Sequence, residues 1–491
     1  MHPAARGGRQ ILRHIARIAM IERGLQPEFP PAAMRQTAAL GAPARAPRAA
    51  TVRDLRALPW VSIDNDDSRD LDQISAGEAL EGGSTRLWVA IADVDALVGI
   101  DTPIDAHAHH NTTSVYTAAR VFPMLPERLS TDLTSLGERQ ERLAIVAEMT
   151  VTADGRLAGS DLYRALVRNQ AKLAYPSVSA WLEGESGPPA ALGDPLLQRQ
   201  VRLQDAAAQA LRAQRHEHGA LTLETLKTHA VFDGDALRDL ERDSKNRAQE
   251  LIEDLMIAAN GAVAHFLEQH GVASLRRVLR TPRRWERIVA LAEEVGENLP
   301  AQPDALALNG FLLRRRHADP ERFADLSLAV VKSLGSGEYL AHAPGARPPG
   351  HFGLAVSNYT HSSAPNRRFP DLISQRLVKA VLAGAPPPYP YEVLTGLALH
   401  CTEQEDKAAK VERRVAKSAA ALLLAGRLGE QFDALVTGAA PKGTWVRILR
   451  PAIEGRLVRG FEGADIGHRL QVRLVRVDVE QGFIDFERVH S

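Results

Sequence analysis

Cysteine is nearly missing from this chain: among 491 residues there is one, Cys401. A lone thiol cannot build a disulfide framework or a thiolate zinc site. It suits a reducing compartment, so a cytoplasmic location is expected. Net charge is missing as well. Lys plus Arg and Asp plus Glu both number 60, so no global positive field gathers nucleic acid, and any such binding must come from local grouping. No apolar run approaches the ~18 residues of a membrane span, and the Arg- and His-dotted N-terminus has no apolar stretch of the secretory kind. Aromatics are only 5% of residues, which makes each Tyr and Phe position informative.

What is present describes a globular protein. Apolar residues make up 45% and charged residues 24%, enough for a large core, and the length suits two to four domains. Ile11, Leu12, Ile15, Ile18 and Ala19 form a stripe at helical period over residues 9 to 23, followed by an Ala-, Pro- and Arg-rich linker at 41 to 51. Residues 1–50 therefore read as a short N-terminal helical arm, without the repeated short strands of a pair of small barrels. Strand-like runs at Leu87–Ala92 and Ala144–Val151 alternate with helical patterns such as Ala248–Leu267. This predicts one large mixed α/β domain over 51–429, ending in a charged-to-apolar helix at 403–428. Six glycines from Gly438 to Gly467 then punctuate short β-branched runs, which predicts an oligonucleotide-binding barrel over 430–491. The fold class is α+β. Arg276, Arg277, Arg280, Arg283, Arg284 and Arg287 would align as a basic stripe on a helix, and a solvated helix face accounts for them better than a nucleic-acid contact.

The densest chemistry is the run Asp64, Asp66, Asp67, Asp70 and Asp72, flanked by Trp60, Val61, Ile63, Leu71 and Ile74. Crowded carboxylates repel unless cations neutralise them. Asp70 and Asp72 are two apart and share a face if the segment is extended. Oxygen-only donors suit magnesium or manganese. A calcium loop of the EF-hand type fits poorly, because Arg69 and Ser75 stand where it needs Gly and Glu. On the run alone, a solvated acidic turn explains these residues as well as a metal site does.

Read with the following blocks, residues 61–74 resemble the aspartate-rich signature of the ribonuclease II and R family. The resemblance continues through Val-Ala-Ile-Ala-Asp-Val (89–94), Thr-Ser-Val-Tyr (113–116), Pro-Met-Leu-Pro-Glu-Arg-Leu-Ser (123–130), Ala-Lys-Leu-Ala-Tyr (171–175), Leu-Ile-Glu-Asp-Leu-Met-Ile-Ala-Ala-Asn (251–260) and Tyr-Thr-His-Ser-Ser-Ala-Pro-Asn-Arg-Arg-Phe-Pro-Asp-Leu (359–372). The tail resembles an RNA-binding barrel of the S1 type.

The resemblance implies a processive 3′-5′ exoribonuclease that hydrolyses single-stranded RNA to nucleoside 5′-monophosphates with two Mg²⁺ ions, or Mn²⁺. It places the metal ligands at Asp64, Asp70, Asp72 and Gln73, the last a neutral amide where the family has a fourth aspartate. Asp72 and Arg367 take the catalytic roles, with Arg367 gripping phosphate. Tyr116 and Tyr175 are implied to stack on terminal bases, and Leu223 stands where the family usually has a further aromatic. Glu253, favoured over Asp254, is implied to contact the sugar. Arg368 joins the RNA-contacting set, with a structural contact as its other reading. The family's usual Ser-Pro-Ile before the arginine is Ala364-Pro365-Asn366 here. A catalytically weakened RNA-binding protein on the same scaffold is the alternative, motivated by Gln73, Ala364 and Asn366; a DNA nuclease is a third reading. No membrane or protein partner is inferred, and a monomer is expected.

Overall fold

A computed structural model of the chain describes residues 7–45, 52–224, 227–243, 245–440 and 442–489. The linker read at 41–51 falls outside the described residues from position 46 onward. Its centre is a mixed sheet of seven strands: β1 (Arg53–Asp54), β2 (Val61–Asp64), β3 (Gln73–Ala79), β4 (Thr85–Ala92), then, past helix α3 (Pro103–Asn111) and the small ribbon β5 (Val115–Tyr116) and β6 (Val121–Phe122), β7 (Glu141–Val151), β8 (Leu157–Arg168) and β9 (Ala171–Ala174). The spatial order is β1-β8-β7-β4-β3-β2-β9. Both faces are covered, so the inner strands are apolar throughout and do not alternate; β4 is buried at seven of its eight positions. Helices α4 (Tyr175–Leu182), α5 (Pro195–Glu217) and α6 (Arg247–Gln269) supply side chains to the core on one face. Helix α10 (Phe369–Leu382) closes the other, with Phe369, Leu372, Ile373 and Leu377 buried against Ile74, Ala90 and Val146.

Helix α1 (Gly8–Glu22) spans the expected apolar stripe. Its Leu12, Ile15, Ala19 and Met20 share a core with Val411, Val415 and Ala419 of helix α11 (Tyr391–Leu424). The arm, with a short second helix α2 (Pro31–Ala39), thus packs against the body of the molecule. Helix α11 starts twelve residues earlier than the 403–428 expectation and ends four earlier. Leu394, Ala398 and Cys401 extend its buried stripe upstream to the Pro390 cap, a continuation hidden by the polar residues between them.

The arginine cluster is not a helix. Arg276 and Arg277 lie on β12 (Ser274–Val278), and helix α7 (Trp285–Glu293) begins only after Pro282, where a helix could not run on. Arg276 is fully buried and donates to Ala264 O at 3.2 Å and Glu268 Oε2 at 3.4 Å. Arg277 pairs with Glu405 and Arg280 with Glu338. Half of the supposed stripe is therefore engaged in holding the fold.

Helices α7, α8 (Ala305–Ala318) and α9 (Pro320–Leu334) form a unit with its own core of Ile288, Phe311, Leu312, Phe323 and Val330. Strand β13 (Glu338–His342) then pairs antiparallel with β12. The tail is a closed barrel of β14 (Gln431–Ala440), β15 (Gly443–Ile448), β16 (Ile453–Arg459), β17 (Arg469–Asp478) and β18 (Phe483–Arg488). Gly455 allows its closure, since a Cβ there would sit 2.7 Å from Ile484 O. Between α5 and α6 a hairpin of β10 (Lys227–Asp233) and β11 (Ala236–Asp243) crosses the surface. Among the described residues no helix is long and apolar enough to cross a membrane.

Candidate active site

The acidic run lies in the loop between β2 and β3, at one end of the sheet. Contacts on both sides fix its path. Leu71 N–H donates to Ser135 Oγ at 3.1 Å, Ser135 Oγ donates to Arg69 O at 2.7 Å, and Asp72 O accepts from Ala92 N at 3.0 Å. Asp64 ends β2 beside Ala174 of β9, so the next residue, Tyr175, opens α4 alongside it. The segment before α10 closes the site from above. Asn366 N–H donates to Asp72 Oδ1 at 3.0 Å, and Arg367 Nε lies 3.3 Å from Asp72 Oδ2. Arg367 O in turn accepts from Ser114 N at 2.9 Å, two residues before Tyr116.

These elements line one cavity of about 1520 Å³. Asp64, Asp70, Asp72, Gln73, Tyr116, Tyr175, Glu253 and Arg367 all face it. The tyrosines' pKa values are raised by burial, so both rings stay neutral. Asp72 is 2% exposed, and burial pushes its pKa up to about 7 against the opposing pull of Arg367 and the Asn366 amide. Asp70 is raised by burial too, with Asp64 adding repulsion. Asp64 Oδ1 accepts from Ser68 Oγ at 2.9 Å and from Asn65 N at 2.7 Å.

Arg368 departs from the RNA-contacting role. Its guanidinium turns away from the cavity to Asp371 Oδ1 at 2.6 Å, under the first turn of α10. Asp371 is fully buried, and an ionised carboxylate there requires a paired cation. Glu253 faces the cavity in contact with Lys245, whereas Asp254 is buried and held by Arg212 Nη2 at 2.6 Å and by Arg215.

Sequence reasoning missed Arg212, Arg215 and Arg316 on this wall. Arg212 and Arg215 on α5 pair with Glu250 and Asp254 on α6, a complementarity that shows only once the two helices lie side by side. Arg215 also leaves Nε and Nη1 buried without a hydrogen-bond partner, and Asn366 leaves Nδ2 so.

Among the described residues no three His, Cys, Asp or Glu side chains are gathered closely enough to hold an ion by themselves. The donor chemistry nonetheless fits a hard cation. The cavity presents nine carboxylates (Asp64, Asp66, Asp67, Asp70, Asp72, Glu224, Glu250, Glu253, Asp254) against five cations (Arg212, Arg215, Lys245, Arg316, Arg367). Three of those acids, Asp70, Asp72 and Asp254, have raised proton affinity, and divalent ions would offset it in the aspartate loop.

Comparison with known proteins follows the same division of the chain. Residues 52–384 match the family model described as RNB domain, and residues 430–489 match the RNase II-type exonuclease C-terminal S1 domain. Ribonuclease R of Vibrio cholerae is 31% identical over 485 residues, covering 89% of this chain and 57% of that protein. Ribonuclease R of Escherichia coli is 31% identical over 474 residues, with the same coverage. The chain thus spans little more than half the length of these relatives. Among solved structures, Mycoplasma genitalium RNase R in complex with ribose-methylated single-stranded RNA superposes with a TM-score of 0.87 at 23% identity, covering 96% of this chain and 77% of the other.

Proposed function

The chain belongs to the RNB-domain family of ribonucleases R and II, and from that premise we propose that it hydrolyses single-stranded RNA processively from the 3′ end to nucleoside 5′-monophosphates. The observation that carries this reading is one cavity holding Asp64, Asp70 and Asp72 together with Tyr116, Tyr175 and Arg367. Asp64, Asp70, Asp72 and the amide oxygen of Gln73 would hold Mg²⁺, which Mn²⁺ could replace. Two such ions would supply a water of lowered pKa and stabilise the leaving 3′-oxygen. Arg367 offsets charge on the phosphoryl oxygens, while Asp72 holds its Nε in place. Tyr116 and Tyr175 stack on terminal bases, at roughly 1–3 kcal/mol per base. Glu253, which faces the cavity beside Lys245, would contact a ribose hydroxyl, the contact that separates RNA from DNA.

The test is conversion of a 5′-labelled RNA in Mg²⁺ to a short end product without accumulated intermediates, with nucleoside 5′-monophosphate recovered from a 3′-labelled one. Asp72→Asn is expected to stop cleavage and leave binding. Equal cleavage by that variant removes the site assignment, and equal rates on matched DNA remove the RNA reading. A second reading is favoured by two observations: Gln73 is neutral, and Arg367 gives Asp72 a counter-charge without any metal. It is an RNA-binding protein with little cleavage, which would retain intact RNA on a filter in Mg²⁺.

A further inference from the structure

Beside apolar contacts at Leu240 of β11 and at Val479, two contacts tie the barrel to the rest of the molecule. At one, Ala421 and Leu424 at the end of α11 enter the barrel's own core with Phe432, Val436 and Phe486. At the other, Arg447 of β15 reaches Asp325 of α9. Strand β15 points Val446 and Ile448 into the barrel, so Arg447 between them faces outward. Its guanidinium forks the carboxylate, with Nη2 to Oδ2 at 2.9 Å and Nη1 to Oδ1. The side chains are only 17% and 24% exposed. Among the described residues no other hydrogen bond or ion pair joins the barrel to α7–α9, and the two units share no apolar core.

The position of Asp325 gives this pair a consequence. Pro320 and Ala324, one turn apart on α9, line the same cavity as the aspartate loop. Asp325 is the next residue. The barrel is thus held by packing at α11 and tied by one ion pair to a helix that also lines the cavity. Without that pair, only apolar packing at α11 and Leu240 would hold the barrel.

We infer that Arg447 and Asp325 form a latch that fixes the barrel against the cavity wall and so sets how long a threaded RNA strand is retained. Both are positioning residues: neither lines the cavity, so the chemistry at Asp72 is unaffected by their loss. The inference rests on the single-stranded RNA reading above. With one partner removed, the other charge stays half-buried and unpaired, and the barrel loses its polar link to α9.

The test compares the full chain with Arg447→Asp, with Asp325→Arg, and with both changes together, which restores the pair with charges exchanged. Release of a fluorescent single-stranded RNA is measured with Ca²⁺ replacing Mg²⁺, so that retention is read without turnover. Each single variant is expected to release RNA on the order of tenfold faster, since such changes act mainly on dissociation. The double variant returns to within about threefold of the parent, a recovery that simple misfolding would not give. In Mg²⁺ the singles should leave a ladder of intermediates where the parent leaves none, yet cut a trinucleotide at the parent's rate. Unchanged release in the singles, or no recovery in the double, overturns the latch. If the parent binds no RNA, the proposed function fails instead, and hydrogen exchange still decides the latch: α9 must exchange faster in the singles than in the parent and the double, or the inference is wrong.

Discussion

At the scale of single residues the site turns on Asp72. Its carboxyl is 2% exposed with a pKa pushed up to about 7 from the ordinary 3.8. A folded-state pKa above the unfolded one means that the folded state binds the proton more tightly. The resulting stability is whole below about pH 4 and is lost as pH rises through about 7. The cost of ionising Asp72 in the folded protein at pH 8 is on the order of 4 kcal/mol at most. Asp72→Asn should therefore be more stable than the parent at pH 8 in EDTA, by about 1–4 kcal/mol, with the gain vanishing near pH 4. Denaturant melts at the two pH values check this; a variant weaker than the parent at pH 8 would show that Arg367 and the Asn366 amide outweigh burial. The three aspartates were legible in the sequence because crowding of like charge is itself a signal. The burial of Asp72 was not, because it is made by Asn366 and Arg367 from almost three hundred residues away.

At the scale of elements, α6 presents Glu253 and Asp254 to the cavity, and its start is set by a capping box. Asn246 Oδ1 accepts from Gln249 N at 3.0 Å, and Gln249 Oε1 accepts from Asn246 N at 3.0 Å. Asn246→Ala should cost about 1 kcal/mol in a denaturant melt. An unchanged midpoint would mean that packing on the sheet alone fixes this end. The arginine cluster gives a sharper contrast. Arg276→Ala empties a fully buried site while Glu268 keeps His342 and the Gly345 amide, and a loss of about 3 kcal/mol is expected from the void, whereas Arg283→Ala, on an exposed loop, should stay within about 0.5 kcal/mol. Equal effects would mean that Arg276 contributes no more than a surface charge. Helical periodicity made α1 and α6 readable, and glycine spacing with β-branched runs made the barrel so. The arginine run misled because spacing alone does not say whether a helix can form, and Pro282 decided that it could not. Arg368 misled for a related reason: its partner Asp371 was in plain view at i+3, but its burial was not.

At the scale of the whole molecule the balance of 60 against 60 charges hides a local asymmetry. The cavity proposed for a polyanion carries nine carboxylates and five cations, and Arg212, Arg215, Lys245 and Arg316 are already paired with acids. Such a cavity repels phosphate unless counter-ions enter with it, because unit charges a few ångströms apart in a partly desolvated site interact by several kcal/mol. Two bound divalent ions would cancel that excess of negative charge and also lower the proton affinity of Asp70 and Asp72. The affinity for single-stranded RNA should therefore rise by on the order of tenfold or more when EDTA is replaced by Mg²⁺ at constant ionic strength. Binding by Asp72→Asn, expected not to cut, gives the cleanest reading. Because ionic strength is held constant, general screening is alike in the two solutions, and a gain in Mg²⁺ reports on bound ions. Equal affinity in EDTA and in Mg²⁺ would mean that the strand is held by the tyrosines and arginines without help from ions, and that the acidic loop does not act as a metal platform.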